Sequence, residues 1–131
     1  MVKILVIEDD AEIIEFMSIA FSAAWPKVEM ISTHHGKEGV NLVKTQQPDA
    51  VLLDLGLPDI SGFDVLKRIR SFSEVPVIIE SVRGSEYDVA NGLSCGADEY
   101  IVKPFGQLEL VARVKAVCRG FSTAEGDGIQ G

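Results

Sequence analysis

Residues 50–62 read Ala50-Val51-Leu52-Leu53-Asp54-Leu55-Gly56-Leu57-Pro58-Asp59-Ile60-Ser61-Gly62. The run Ala50 to Leu53 is short, branched and uncharged, which suits a strand covered on both faces. Asp54 stands where that strand stops. Gly56, Pro58, Asp59 and Gly62 then bend the chain. In an open parallel sheet, ligands bind beyond the carboxyl ends of the strands. An acid in that place is a functional candidate; the alternative is that Asp54 only caps a loop.

Working outward, Val2-Lys3-Ile4-Leu5-Val6-Ile7 is a second branched run, and it ends on Glu8, Asp9 and Asp10. Ile13, Ile14, Phe16, Met17, Ala20 and Phe21 fall at helical spacing between Ala11 and Ala24. Trp25-Pro26 closes that helix. Val28 to Ile31 is a short strand, and Gly36 to Gln47 a helix stopped by Pro48. After the central turn, Phe63, Val65, Leu66 and Ile69 make a third helix, with Lys67, Arg68 and Arg70 on its wet side. Val77-Ile78-Ile79-Glu80 is a strand ending on Ser81, and Glu86 to Ser94 a weakly apolar helix. Tyr100-Ile101-Val102 is a strand ending on Lys103, and Leu108, Leu110, Val111, Val114 and Val117 make the fifth helix. Residues 120–131 are Gly-rich and aperiodic and read as a flexible linker or tail, leaving 1–119 as the domain. Five βα units in strict alternation predict an α/β fold. We expect one doubly wound five-stranded parallel sheet of order 2-1-3-4-5 with five helices.

The 131 residues suit one domain with its own core. The net charge of −8 argues against direct nucleic-acid binding, which needs clustered Lys and Arg. Cys95 and Cys118 lack metal or redox spacing, no stretch approaches a membrane span, and a cytoplasmic location follows as the simplest reading.

The expected strand order gathers Glu8, Asp9, Asp54, Ser81 and Lys103 on one rim. Close carboxylates repel unless a cation joins them. Mg²⁺ prefers hard oxygen ligands and commonly uses one or two carboxylates with retained waters. Glu8, Asp9 and Asp54, with the backbone carbonyl of Gly56, can supply such a site. A carboxylate can also attack phosphorus to give an aspartyl phosphate, and such transfer needs mainly positioning and charge neutralisation. Lys103 can take part of that charge, and the Ser81 hydroxyl can donate to a phosphoryl oxygen.

Ile4 to Asp10, Asp54 to Gly62, Ser81, and Gly96-Ala97-Asp98-Glu99-Tyr100-Ile101-Val102-Lys103-Pro104-Phe105 resemble the receiver domain of two-component response regulators, from residue 2 to about 119. The resemblance implies a CheY-like, flavodoxin-like fold and phosphorylation of Asp54 by a sensor histidine kinase or phosphotransfer protein with Mg²⁺. By the same resemblance Glu8 and Asp9 match the metal-binding acids, Ser81 the switch hydroxyl, Tyr100 the switch aromatic and Lys103 the phosphate-pairing lysine. Ser81 would move toward the phosphoryl group and Tyr100 would rotate inward behind it. Asp98, Glu109 and Arg113 match a homodimer face built from the fourth helix, fifth strand and fifth helix. Val89 and Gly120 stand where basic partners in that face are expected. The resemblance also implies an output domain or partner outside this chain, with transcription as one such output.

Three positions depart from the family pattern. Glu8 replaces the commoner Asp, Val82 follows Ser81 where Ala or Gly is usual, and Glu80 stands at a usually apolar strand position. Val82 is expected to crowd the approach to Asp54; Gly56 is expected to leave it open. Glu80, if buried, needs a partner. Asp10 and Asp59 read as solvated, and His34 and His35 as surface histidines. Cys118 reads as packing and Cys95 as a helix-end residue. Two rivals remain: an aspartate-nucleophile phosphatase, disfavoured because Gly56 cannot act as its general acid, and an unphosphorylated interaction module.

Overall fold

The structure is a computed structural model that describes residues 1–122, with side chains as far as residue 118. The elements are β1 (Val2–Ile7), α1 (Ala11–Ala24), β2 (Val28–Thr33), α2 (Gly36–Gln46), β3 (Ala50–Asp54), α3 (Gly62–Arg70), β4 (Val77–Ser81), α4 (Glu86–Ser94), β5 (Glu99–Val102) and α5 (Gln107–Ser122). The five strands form one parallel sheet of order β2-β1-β3-β4-β5, the order expected. The helix α5 runs past Gly120 to Ser122, and the remainder of the stretch read as a linker lies outside the described residues.

Successive strand residues point to opposite faces, and the buried residues sort accordingly. Ile4, Val6, Ala50, Leu52, Ile78 and Ile101 pack with Met17 and Phe21 of α1 and Leu110 and Val114 of α5. Leu5, Ile7, Val51, Leu53, Val77 and Ile79 pack with Val43 of α2, Val65, Leu66 and Ile69 of α3, and Tyr100. The central strand β3 is therefore apolar at every position before its terminal Asp54, as a strand buried on both faces must be. Cys118 belongs to the first of these cores, and burial pushes its thiol up to about 11, with Asp49 adding to the shift.

Several polar residues do structural work that their sequence context does not advertise. Asp10 is not merely solvated; it caps α1 by accepting from the Glu12 N–H at 2.8 Å. The N-cap residue of α2, His35, makes no side-chain cap, and Asp59 supplies one from the loop after β3. Its carboxylate accepts from the N–H groups of Gly36 at 2.8 Å and Lys37 at 3.0 Å. The bonds from Lys37 and Gly36 hold its pKa down at about 2, against 3.8 unperturbed. A lowered folded-state pKa gives stability that is present above about pH 4 and lost as pH falls toward 2. Asp59→Ala should therefore lower the thermal midpoint at pH 7 by an amount that shrinks as the acid range is entered. Melts of both proteins across pH 2–7 test this, and a gap independent of pH would refute the cap.

Arg70 was expected on the wet side of α3. Instead it is half-buried and ties three segments together. It donates to the carbonyls of Gly96 (3.0 Å) and Val75 (2.8 Å) and pairs with Asp98 at 2.9 Å. The start of α3 lies against the end of β3. A Cβ on Gly62 would stand 2.5 Å from the Asp54 carbonyl oxygen and 2.6 Å from the Leu55 Cα.

Candidate functional site

The C-terminal ends of β1, β3, β4 and β5 meet at one rim. Glu8, Asp54, Glu80 and Lys103 all share the strand parity of the α1/α5 face, because they continue the series Ile4–Val6, Ala50–Leu52, Ile78 and Ile101. The Lys103 ammonium sits among three carboxyl groups. It lies 3.1 Å from Glu8 Oε1, 3.2 Å from Asp54 Oδ1 and 3.5 Å from Glu80 Oε1. Burial alone would weaken its charge, but Glu80, Glu8 and Asp54 outweigh that and hold the ammonium more firmly protonated than usual. The other oxygen of Glu8 accepts from the Asp10 N–H at 2.8 Å, so both of its oxygens are engaged.

Glu80 is the residue for which sequence reasoning had no account. It is 0% exposed, and neither oxygen makes a hydrogen bond. Desolvation and the neighbouring Glu8 carboxylate push its pKa well above the ordinary range. Its register partner on β3 is Asp54. Strand parity could have placed it on the same face as Asp54; its contact with Lys103 needed the fold.

The expected magnesium ligands are not equally placed. Glu8 and Asp54 are buried at the rim, whereas Asp9 and Gly56 are exposed. Among the described residues, no three His, Cys, Asp or Glu side chains are already arranged to hold a metal ion. The donors nevertheless fit a hard cation that takes one or two carboxylates and keeps its waters. Such a cation would compete with the Lys103 ammonium for Glu8 and Asp54. A cavity of about 310 Å³ opens beside Asp54, lined by Gly56, Phe63, Ser81, Val82, Arg83 and Lys103 among others. A Cβ at Gly56 would come no nearer than 3.9 Å to Asp54 Oδ2, so that side of the acid is open. Val82, expected to crowd the approach, is 75% exposed and stands at the cavity's rim.

Ser81 and Tyr100 lie on the opposite parity. The Ser81 hydroxyl oxygen accepts from the Arg83 N–H at 3.0 Å. That leaves its own proton available to an acceptor on Asp54. Tyr100 was expected to turn inward only as Ser81 moved. In the structure its ring is already 95% buried, being 5% exposed, and its hydroxyl donates to the Arg83 carbonyl at 2.6 Å. Room for the ring comes from Gly92 of α4, where a Cβ would stand 3.0 Å from Tyr100 Cδ2 and from Ile79 Cδ1. The Arg83 peptide thus links the hydroxyl to the aromatic.

Of the residues expected in a dimer face, Asp98 is committed within the chain, to Arg70 and to the Val77 N–H at 2.9 Å. Arg113 pairs with Glu109 and Glu99, each at 3.1 Å. His34 and His35 are both exposed beyond the edge strand β2.

The description "Response regulator receiver domain" attaches to a family model matching residues 4–115. The transcriptional regulatory protein AfsQ1 of Streptomyces coelicolor is 38% identical over 119 residues, 91% of this chain and 52% of AfsQ1. The DNA-binding response regulator MtrA of Mycobacterium tuberculosis is 40% identical over 117 residues, 89% of this chain and 50% of MtrA. This chain spans about half the length of these curated relatives. The receiver domain of the Francisella response regulator 1452 superposes with a TM-score of 0.86 at 31% identity, covering 92% of this chain and 99% of that one. The BeF3-activated DrrB receiver domain gives 0.78 at 30% identity, covering 89% and 97%. Receiver domains are phosphorylation-operated signalling switches rather than enzymes with an outside substrate; they interact with histidine kinases and generally bind Mg²⁺ at an acidic pocket. A match that runs from residue 4 to residue 115 takes in the whole of that rim, and the chain belongs to the response regulator receiver domain family of two-component signalling.

Proposed function

We propose that Asp54 is the phosphoacceptor and that Glu8, Asp9, Asp54 and the Gly56 carbonyl are the groups that hold Mg²⁺. The observation that carries this reading is the Lys103 ammonium within 3.2 Å of Asp54 Oδ1, beside an open cavity. An Asp54 oxygen attacks the phosphorus of a kinase phosphohistidine. The P–N bond breaks as the P–O bond forms, and the departing imidazole takes a proton from solvent. Lys103 donates to the phosphoryl oxygens during transfer, and Ser81 donates once the group is attached. When bound, Mg²⁺ neutralises charge on the transferring oxygens. Water later hydrolyses the aspartyl phosphate through the side left open by Gly56.

A sensor histidine kinase or phosphotransfer protein is the donor in this reading. An apolar cavity of about 460 Å³ beside Lys103, lined by Ile13, Phe16, Val82, Pro104 and Phe105, offers it a docking surface. The phosphoryl group adds about 1.5–2 negative charges and three acceptor oxygens. Through Ser81, Arg83 and Tyr100 this biases the α4-β5-α5 face, where Tyr87, Leu93, Val102 and Leu108 are exposed. That face, with Glu109 and Arg113, passes the signal to a second copy or to an output domain, in keeping with the transcriptional relatives. The process is cytoplasmic, and the acidic domain leaves any nucleic-acid contact to its output partner.

Intact-protein mass after incubation with Mg²⁺ and acetyl phosphate tests the assignment. A gain of one phosphoryl group is expected in the wild type and none in Asp54→Asn. A gain in both proteins would place the acceptor elsewhere.

A further inference from the structure

The two acids that set this chain apart, Glu8 and Glu80, meet at one atom. Lys103 Nζ lies 3.1 Å from Glu8 and 3.5 Å from Glu80, with Asp54 at 3.2 Å. Glu8 and Asp54 accept hydrogen bonds from the ammonium, whereas Glu80 faces it as an ion pair without a hydrogen bond. They do not compete on equal terms. Asp54 and Lys103 line the open cavity, whereas Glu80 is wholly buried and lines no part of it. A phosphodonor arriving there can draw Asp54 away from the lysine. It cannot reach Glu80.

We infer that Glu80 is a positioning residue that holds Lys103 inward, in competition with the phosphoryl group at Asp54. The inference rests on Asp54 being the phosphoacceptor. In that chemistry the bond from the donor oxygen to phosphorus breaks while the Asp54 oxygen bonds to phosphorus. With acetyl phosphate as donor, acetate leaves as the anion and no proton need move. The lysine's task is to donate to the transferring oxygens, and an ammonium held toward Glu80 is held away from them. Glu80 therefore slows phosphorylation of this chain.

The test is a double-mutant cycle on the full chain: wild type, Glu80→Ile, Glu80→Gln, Lys103→Ala, and each Glu80 variant combined with Lys103→Ala. Intact mass follows the rate of phosphoryl gain with Mg²⁺ over a range of acetyl phosphate concentrations. Glu80→Ile should raise the rate at saturating donor by about threefold to tenfold, the size of a coupling between direct neighbours. Glu80→Gln keeps an acceptor oxygen without the charge and should fall between the two. Neither substitution should change the rate in the Lys103→Ala background. A general effect of charge or packing would survive there, and its survival overturns the inference. So does a Glu80→Ile rate equal to wild type. If Glu80→Ile does not fold, the Gln pair decides on the same criteria. If no protein gains mass, the phosphoacceptor reading fails and this inference falls with it; a wild-type gain that Glu80 does not modulate removes the inference alone.

Discussion

Gly62→Ala is expected to destabilise the fold by about 1–3 kcal/mol, the usual cost of forcing an extra carbon into a filled site. The new Cβ would stand 2.5 Å from the Asp54 carbonyl oxygen and 2.6 Å from the Leu55 Cα. Both are backbone atoms, so no rotamer relieves the clash; either α3 or the end of β3 must shift. The Gly62 N–H donates to the Leu55 carbonyl at 3.1 Å, and that shift would weaken this bond too. A domain of this size loses about 4 °C of thermal midpoint per kcal/mol. Gly106→Ala is the matched control, because nothing lies within 4 Å of a Cβ there. If the two alanine variants melt together near the wild-type temperature, the close approach is not a constraint. If Gly62→Ala melts early, phosphoryl gain in the folded protein should also fall, since Asp54 moves with its own carbonyl.

The second large effect has the opposite sign. Glu80→Ile is expected to stabilise the chain by about 1–4 kcal/mol at neutral pH, the range seen when buried ionic groups give way to apolar ones. Removing one member of a buried pair usually costs stability because it strands the other. Here Lys103 keeps Glu8 and Asp54, so it is not stranded. The pH dependence follows from the direction of the Glu80 shift. Its folded-state pKa is raised above the 4.5 of an unperturbed glutamate, mainly by desolvation. The folded state then binds more protons than the unfolded state above that pH, and wild-type stability declines as pH rises from about 4.5 through the raised value. The isoleucine variant lacks this decline. Urea unfolding at pH 5 and pH 7.5 should show the gap between the two proteins widening toward the higher pH. A variant less stable than wild type, or a constant gap, would contradict the account. Should both this gain in stability and the faster phosphorylation be observed, Glu80 would exemplify a residue that lowers stability while tuning function.

The architecture could be read from the chain because two periodicities alternate cleanly along it. Branched runs such as Ile4–Ile7 and Val51–Leu53 have no polar face to misassign, and each is followed by residues at helical spacing. Asp54, Glu8, Ser81 and Lys103 were legible for the same reason, since each stands at a strand end. What remained hidden depends on contacts between residues far apart in sequence. Arg70 follows a helix face that carries Lys67 and Arg68, and nothing local distinguishes it from them. Its partners are carbonyls in the loops that lead into β4 and β5. Asp59 caps a helix that begins at Gly36, on the other side of β3, and no capping motif spans that separation. Asp98 matched a dimer-face pattern in the sequence, and its hydrogen bond to the Val77 N–H is visible only once β4 and the turn before β5 are adjacent. Tyr100 was expected to need a trigger to become buried. The missing fact was that Gly92 leaves it a slot.

The sheet also acts as a partition. Asp54, Lys103, Glu8 and Glu80 lie on one side of it, and Tyr100 on the other, so whatever happens at the acid must cross the sheet to be felt at the ring. Ser81 already stands on the ring's side, and residue 83 joins the two there: its N–H meets the Ser81 hydroxyl and its carbonyl accepts from Tyr100. At residue 83 both bonds use main-chain atoms, so the link is indifferent to that residue's side chain. Position 83 can hold any residue that keeps an N–H and still make both contacts, leaving its exposed side chain free to vary. Proline alone would cut the line.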